Sequence, residues 1–109
     1  MAHTIAEADW KVLRRVHPLA LERYCERVLA EIERVTGNSV QSAHQGYLEI
    51  FKIVEKHDHE MASIFDDLRR SNALTMLARM RSEGLLMADE FSGLSLETRG
   101  AIQLLLAAE

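Results

Sequence analysis

Apolar residues recur along this chain at intervals of three and four, the period of one face of an α-helix. The longest such row is Val40, Ala43, Tyr47, Ile50, Val54, His57, Met61, Ile64 and Leu68, with no slip in spacing. A second row, Leu48, Phe51, Asp58, Ala62 and Phe65, runs beside it. Two adjacent rows make a wide apolar face and predict one long central helix over about 40–68. At about 1.5 Å per residue it would be roughly 40 Å long, more than the width of a compact domain of this size. Such a helix must kink, or project and meet a partner chain.

The flanking segments read as shorter helices. Thr4 and Glu7 have capping-box spacing, ahead of a helix over Ile5 to Val16 that presents Ile5, Trp10, Leu13 and Val16. Pro18 disfavours helical geometry at His17 and suits the first position of a new helix, so a break is expected there. The second helix, Pro18 to about Val35, carries Leu21, Cys25, Val28, Ile32 and Val35 as its buried stripe, widened by Tyr24 and Leu29. Arg27, Glu31 and Arg34 have the spacing of an exposed ion-paired face. In the loop Thr36–Ser39, Gly37 suits a C′ position and Ser39 an N-cap.

Near the end of the central helix, Asp66 stands three residues from Arg69 and four from Arg70, and Asp67 three from Arg70, the spacing of helical ion pairs. Ser71 or Asn72 then caps a helix over about 73–83 with Leu74, Leu77 and Met80. Gly84 and Leu85 fit a Schellman ending. A short helical turn is expected near Asp89–Phe91, and Ser95 caps a last helix bearing Leu96, Ile102, Leu105 and Leu106. Gly100 inside that helix suggests a close helix approach. The expectation is an all-α, single-domain bundle of about five helices over residues 1–109, its C-terminal hairpin spanning about 73–108.

Composition supports that picture and narrows the function. The chain has 109 residues, 48% of them hydrophobic, enough for one core. One proline and five glycines leave few turns. The net charge of −4 argues against a basic nucleic-acid surface, although Arg69, Arg70, Arg79 and Arg81 form a local arginine-rich segment. Cys25 is the single cysteine, which fits a reducing compartment. The N-terminus lacks a signal-peptide pattern, and the apolar stretch 101–108 is too short to span a bilayer. A soluble, cytoplasmic protein is therefore expected.

The densest polar stretch is Glu55-Lys-His-Asp-His-Glu60. Helical geometry divides it, because His57 and His59 lie about 200° apart and cannot hold one ion from a regular helix. His57 falls on the first apolar row and Asp58 on the second, so both are expected to point inward, with Lys56 and His59 outward. A buried aspartate needs a donor. A metal or enzymatic site built on His57 and Asp58 would need further ligands, for which His17, His44, Cys25 and Glu49 are available. The patterns HExxH, ExxH, CxxC, GxSxG and GxGxxG are absent. Cys25 lies on an apolar stripe, where a free cysteine is ordinarily a small buried residue. No cofactor is implied.

The segment ALTMLARMRSEGLLMADEF, Ala73 to Phe91, resembles the short helical hairpin called SHOCT, through its spaced leucines, Gly84-Leu85-Leu86 and Glu90-Phe91. The likeness ends after Phe91, where Ser-Gly-Leu-Ser follows. It implies a role in oligomerisation. The sequence thus favours a non-enzymatic interaction or regulatory module, a homodimer formed through the long helix or the C-terminal hairpin. Asp66, Arg69, Arg70, Met61 and Phe65 are the candidate contact residues. A metal-binding or enzymatic domain around His57 and Asp58 is the alternative, and nucleic-acid binding through Arg69–Arg81 a weaker one.

Overall fold

The computed structural model describes residues 5–108. The chain is all-α, with five helices and one short 3-10 turn among these residues: α1 (Glu7–Thr36), α2 (Ala43–Phe65), α3 (Ala73–Ser82), α4 (Ala88–Ser92) and α5 (Leu96–Ala107). Helices α1 and α2 form an antiparallel hairpin. Helices α3 to α5 make a lobe packed on its base. The molecule measures 54 × 26 × 25 Å, with a radius of gyration of 17.0 Å. A compact domain of this length has about 13 Å. The excess comes from the outer half of the hairpin, which extends away from the lobe.

Pro18 does not break the first helix. It lies inside α1, exposed, with its ring towards solvent. A proline in a helix interior costs about 3 kcal/mol. Leu13, Val16, Ala20 and Tyr24 on both sides of it are all buried against the core. Each buried apolar side chain is worth about 1.5–3 kcal/mol, so one continuous packed face outweighs the lost hydrogen bond. Thr4, the expected cap, lies outside the described residues; α1 starts from Ala6 without a side-chain cap.

The long central helix is shorter than the row of apolar residues. It begins at Ala43 because Ser42, not Ser39, is the N-cap, its hydroxyl accepting from the Gln45 N–H at 3.1 Å. Val40 is 94% exposed, so no packing draws that end into a helix. Gly37 keeps a right-handed conformation, φ −80°, and is not a left-handed cap. At the other end the chain leaves the helix at Phe65, and Asp67 takes the left-handed conformation, φ 67°, which aspartate tolerates better than most residues. Asn72 holds this turn, its side-chain amide donating to the Asp67 carbonyl and carboxylate. Helical spacing therefore ends before the expected pairs of Asp66 and Asp67 with the arginines. Arg69 pairs with Asp67, and Arg70 reaches back to Glu7 and the Ile5 carbonyl.

The lobe follows the sequence closely. Gly84 has φ 70°, and the Leu85 N–H donates to the Met80 carbonyl at 2.8 Å, closing α3 as a Schellman motif over a fully buried Leu85. Ser95 caps α5, and α4 forms across Asp89–Phe91. Gly100 is a correction: a Cβ there would meet nothing within 4 Å, so no helix packs close to it. The core joins Leu13, Val16, Ile64, Leu77, Met80 and Ile102, contributed by α1, α2, α3 and α5.

Candidate functional site

Three side chains join the hairpin across its seam. Tyr24 on α1 is buried; its hydroxyl is hydrogen-bonded with His57 Nδ1 at 2.9 Å and lies within donating reach of the His57 carbonyl at 3.4 Å. His57 Nε2–H then donates to Glu31 Oε2 at 3.1 Å. Burial raises the Tyr24 pKa, with the charges of Glu60 and Glu83 adding to it, so the hydroxyl keeps its proton and remains a donor. The Glu31 carboxylate can only accept, so it is the contact that places a proton on His57 Nε2. Glu31 thus serves His57 and is not paired with Arg27 or Arg34. Arg27 donates instead to the carbonyls of Glu83 and Gly84.

The predicted inward pair of His57 and Asp58 is divided. His57 is half-buried in the seam, whereas Asp58 is exposed. The reason is that the second apolar row has nothing packed on it at this height. The seam of a two-helix hairpin covers only the residues that face the other helix, and Asp58 sits on the flank. His17 lies far along α1 from this point, where its Nε2–H donates to the Phe65 carbonyl at 3.0 Å and its ring packs edge-on against Phe65. His44 is exposed at the start of α2, near the hairpin tip. Among the described residues no three of His, Cys, Asp and Glu come together.

Beside the seam an open groove of about 340 Å³ runs between α1 and α2. Cys25, Val28, Leu29 and Ile32 form one wall and Val54, His57, Asp58 and Met61 the other, above Tyr24. Cys25 Sγ lies 3.8 Å from Met61 Sδ. Tyr47 and Phe51 continue the same flank of α2 towards the tip. Leu29, Tyr47, Phe51 and Val54 are 59%, 67%, 56% and 47% exposed. Together they show on the order of 500 Å² to solvent, at the upper end of what one apolar patch on a monomer exposes. The other side of the hairpin carries a shallow depression of mixed character, bordered by Glu31, Arg34, Asn38 and Glu49 with Val35 and Ile53.

The lobe does not obstruct this groove. On α1 the lobe-facing residues Asp9, Leu13, Val16 and Ala20 and the groove-lining Cys25, Leu29 and Ile32 fall on opposite sides of the helix, given its 100° step. Of the other candidate contact residues, Phe65 is buried in the core and Met61 is half-buried in the groove. Asp66 borders a mixed cleft between α2 and α3, and Arg69 is exposed beside Asp67. The remaining arginines of the weaker alternative are also engaged within the chain: Arg79 with Glu83, and Arg81 over the Phe91 ring at 4.2 Å.

Two polar centres escaped sequence reasoning. Asp9 is 1% exposed and caps α5 from outside, accepting from the Ser95 N–H, the Ser95 hydroxyl and the Thr98 hydroxyl, each at 2.7 Å. Burial pushes its carboxyl up, but the hydrogen bonds from Ser95 and Thr98 outweigh that and hold it below the usual aspartate range. Arg23 makes a two-pronged pair with Glu90, both contacts at 2.8 Å, and donates to the Leu85 carbonyl. That pair lowers the Glu90 pKa and raises that of Arg23. The partners are 86 and 67 residues apart, so no local pattern marks them.

No protein-family model, curated protein or solved structure matches the chain. The SHOCT likeness of Ala73–Phe91 is thus carried by that segment's own residues alone. No helix among the described residues is long and apolar enough to cross a membrane.

Proposed function

We propose that this chain is a protein-interaction module that works as a homodimer, two α1–α2 hairpins closing their apolar faces on each other as a four-helix bundle. The exposed row Leu29, Tyr47, Phe51 and Val54 carries this reading. The stripes Leu21-Cys25-Val28-Ile32-Val35 and Ala43-Tyr47-Ile50-Val54-His57-Met61 keep the three-four spacing of bundle seams, yet a single hairpin covers only one edge of each. Two copies bring together roughly 1,000 Å² from the four exposed residues alone, about the threshold of a specific interface. The half-buried Cys25, Val28, Ile32 and Met61 add to it. With both lobes on outer faces, nothing among the described residues obstructs the approach. The lone, half-buried cysteine and the acidic balance suit a cytoplasmic setting.

Sedimentation equilibrium of the full chain tests the reading. A dimer is expected for the native sequence, and a monomer for the double variant Leu29→Glu with Phe51→Glu at unchanged helicity. A 12.4 kDa species at millimolar concentration would overturn it.

A further inference from the structure

The open face of α2 is complementary to itself when turned end for end. Ala43, Tyr47, Phe51, Val54, Asp58 and Ala62 follow one another at intervals of four, four, three, four and four, and all six are exposed. At 100° per residue they form one stripe about 100° wide, symmetric about the midpoint between Lys52 and Ile53. Reversed about that midpoint, Ala43 meets Ala62, Phe51 meets Val54, and Tyr47 meets Asp58. Any three-four stripe has such a midpoint; the side chains make this one complementary. A phenolic hydroxyl donates and a carboxylate accepts, and Asp58 forms no ion pair among the described residues. We propose that α2 pairs with α2 of a second copy antiparallel and in this register, each Tyr47 hydroxyl donating to Asp58 of the other copy. This rests on the hairpin pairing proposed above and makes it specific.

The register follows from what Asp58 requires. Closing an apolar face over a carboxylate is costly unless the closing surface brings a donor. Sliding the second copy by one heptad in either direction sets Asp58 against Val40 or Val54, and a parallel pair sets it against the other Asp58. None of these supplies a donor, whereas Tyr47 does. The apolar layers agree with it. At the centre the larger Phe51 lies beside the smaller Val54, and at each end two alanines let the helices approach closely. An antiparallel pair also sets the two lobes, each packed on the base of its own hairpin, at opposite ends.

Crosslinking of the full chain tests the register. In a Cys25→Ser background, chains with Ala43→Cys and chains with Ala62→Cys are treated separately and mixed with a bis-maleimide that reaches about two helical turns, about 11 Å. Mixed chains are expected to crosslink, and each chain alone to stay single, because the two copies of either position lie 19 residues apart along the pair, about 28 Å. Tyr47→Phe leaves the covered carboxylate without its donor and should raise the dissociation constant at least about tenfold by sedimentation velocity. Asp58→Leu added to Tyr47→Phe should recover most of that loss, since neither group is then left unpaired. Crosslinks between two Ala43→Cys chains, or a Tyr47→Phe chain that pairs like the native one, would overturn the proposal while leaving the pairing intact. No association of the native chain at any concentration would remove the pairing and this proposal together.

Discussion

Tyr24 divides α1 into two parts that differ in what they cover. Before it, Val12, Leu13, Val16 and Ala20 are buried against α2, α3 and α5, and Asp9 is locked onto the start of α5. After it, no residue of α1 is fully buried, and of α2 only Ile64 and Phe65, at its base, are. The helical spacing is the same in both parts. The number of neighbours is not: the base has a lobe on one side and a second helix on another, whereas the outer hairpin has one helix against one helix. A regular apolar stripe therefore becomes core where three elements meet and surface where only two do. This contrast between a self-sufficient base and an incomplete hairpin is the basis for the functional reading.

The strongest way to break the contrast is at the base. Leu77→Ala or Ile102→Ala, each at a fully buried position, should cost about 3 kcal/mol in urea unfolding, and Phe51→Ala less than about 0.5 kcal/mol at concentrations where the chain is single. Equal costs would mean that the hairpin tip is as packed as the lobe. Asp9→Ala should cost nearly as much as Leu77→Ala, about 2–3 kcal/mol, because Ser95 and Thr98 lose a buried acceptor. A loss under about 0.5 kcal/mol would show that this centre holds nothing together.

Asp9 also sets an acid limit on the base. Its folded pKa is depressed, so its contribution is complete above the unfolded aspartate value near 3.9 and is lost as pH falls through the lower folded value. Native chain should lose stability more steeply than Asp9→Asn below about pH 4, as unfolding midpoints against pH would show. Parallel curves would contradict the assignment. The smallest effect is expected in the seam: Tyr24→Phe removes one hydrogen bond to His57 and should cost about 1 kcal/mol. The His57 ring resonances should shift, since Nδ1 loses its hydroxyl partner. Unchanged resonances would mean that the bond does not form in solution.

Several local signals were legible in the sequence, although Gly37 and Ser39 misled, and long-range ones were not. The Schellman glycine Gly84, the cap Ser95 and the short α4 turn depend on residues a few positions apart, and they appear as expected. The expected break at Pro18 fails because the burial that holds α1 continuous involves α3 and α5, which no local pattern represents. The inward position of His57 was readable from its row, but its partners Tyr24 and Glu31 lie on another helix. Asp58 illustrates the same limit: periodicity places it on an apolar flank, and only the fold tells whether that flank is covered. Asp9 carried no signal, being one carboxylate in an ordinary first turn whose partners lie 86 and 89 residues away.

Hydrogen exchange of the full chain at low and at high concentration tests the central claim most directly, because it reports where a second copy sits. Concentration should slow exchange in the outer hairpin, about residues 25–36 and 43–57, and leave α3 and α5 unchanged. Slowing confined to α5 or α3, or none at any concentration, would contradict the pairing of the apolar hairpin faces.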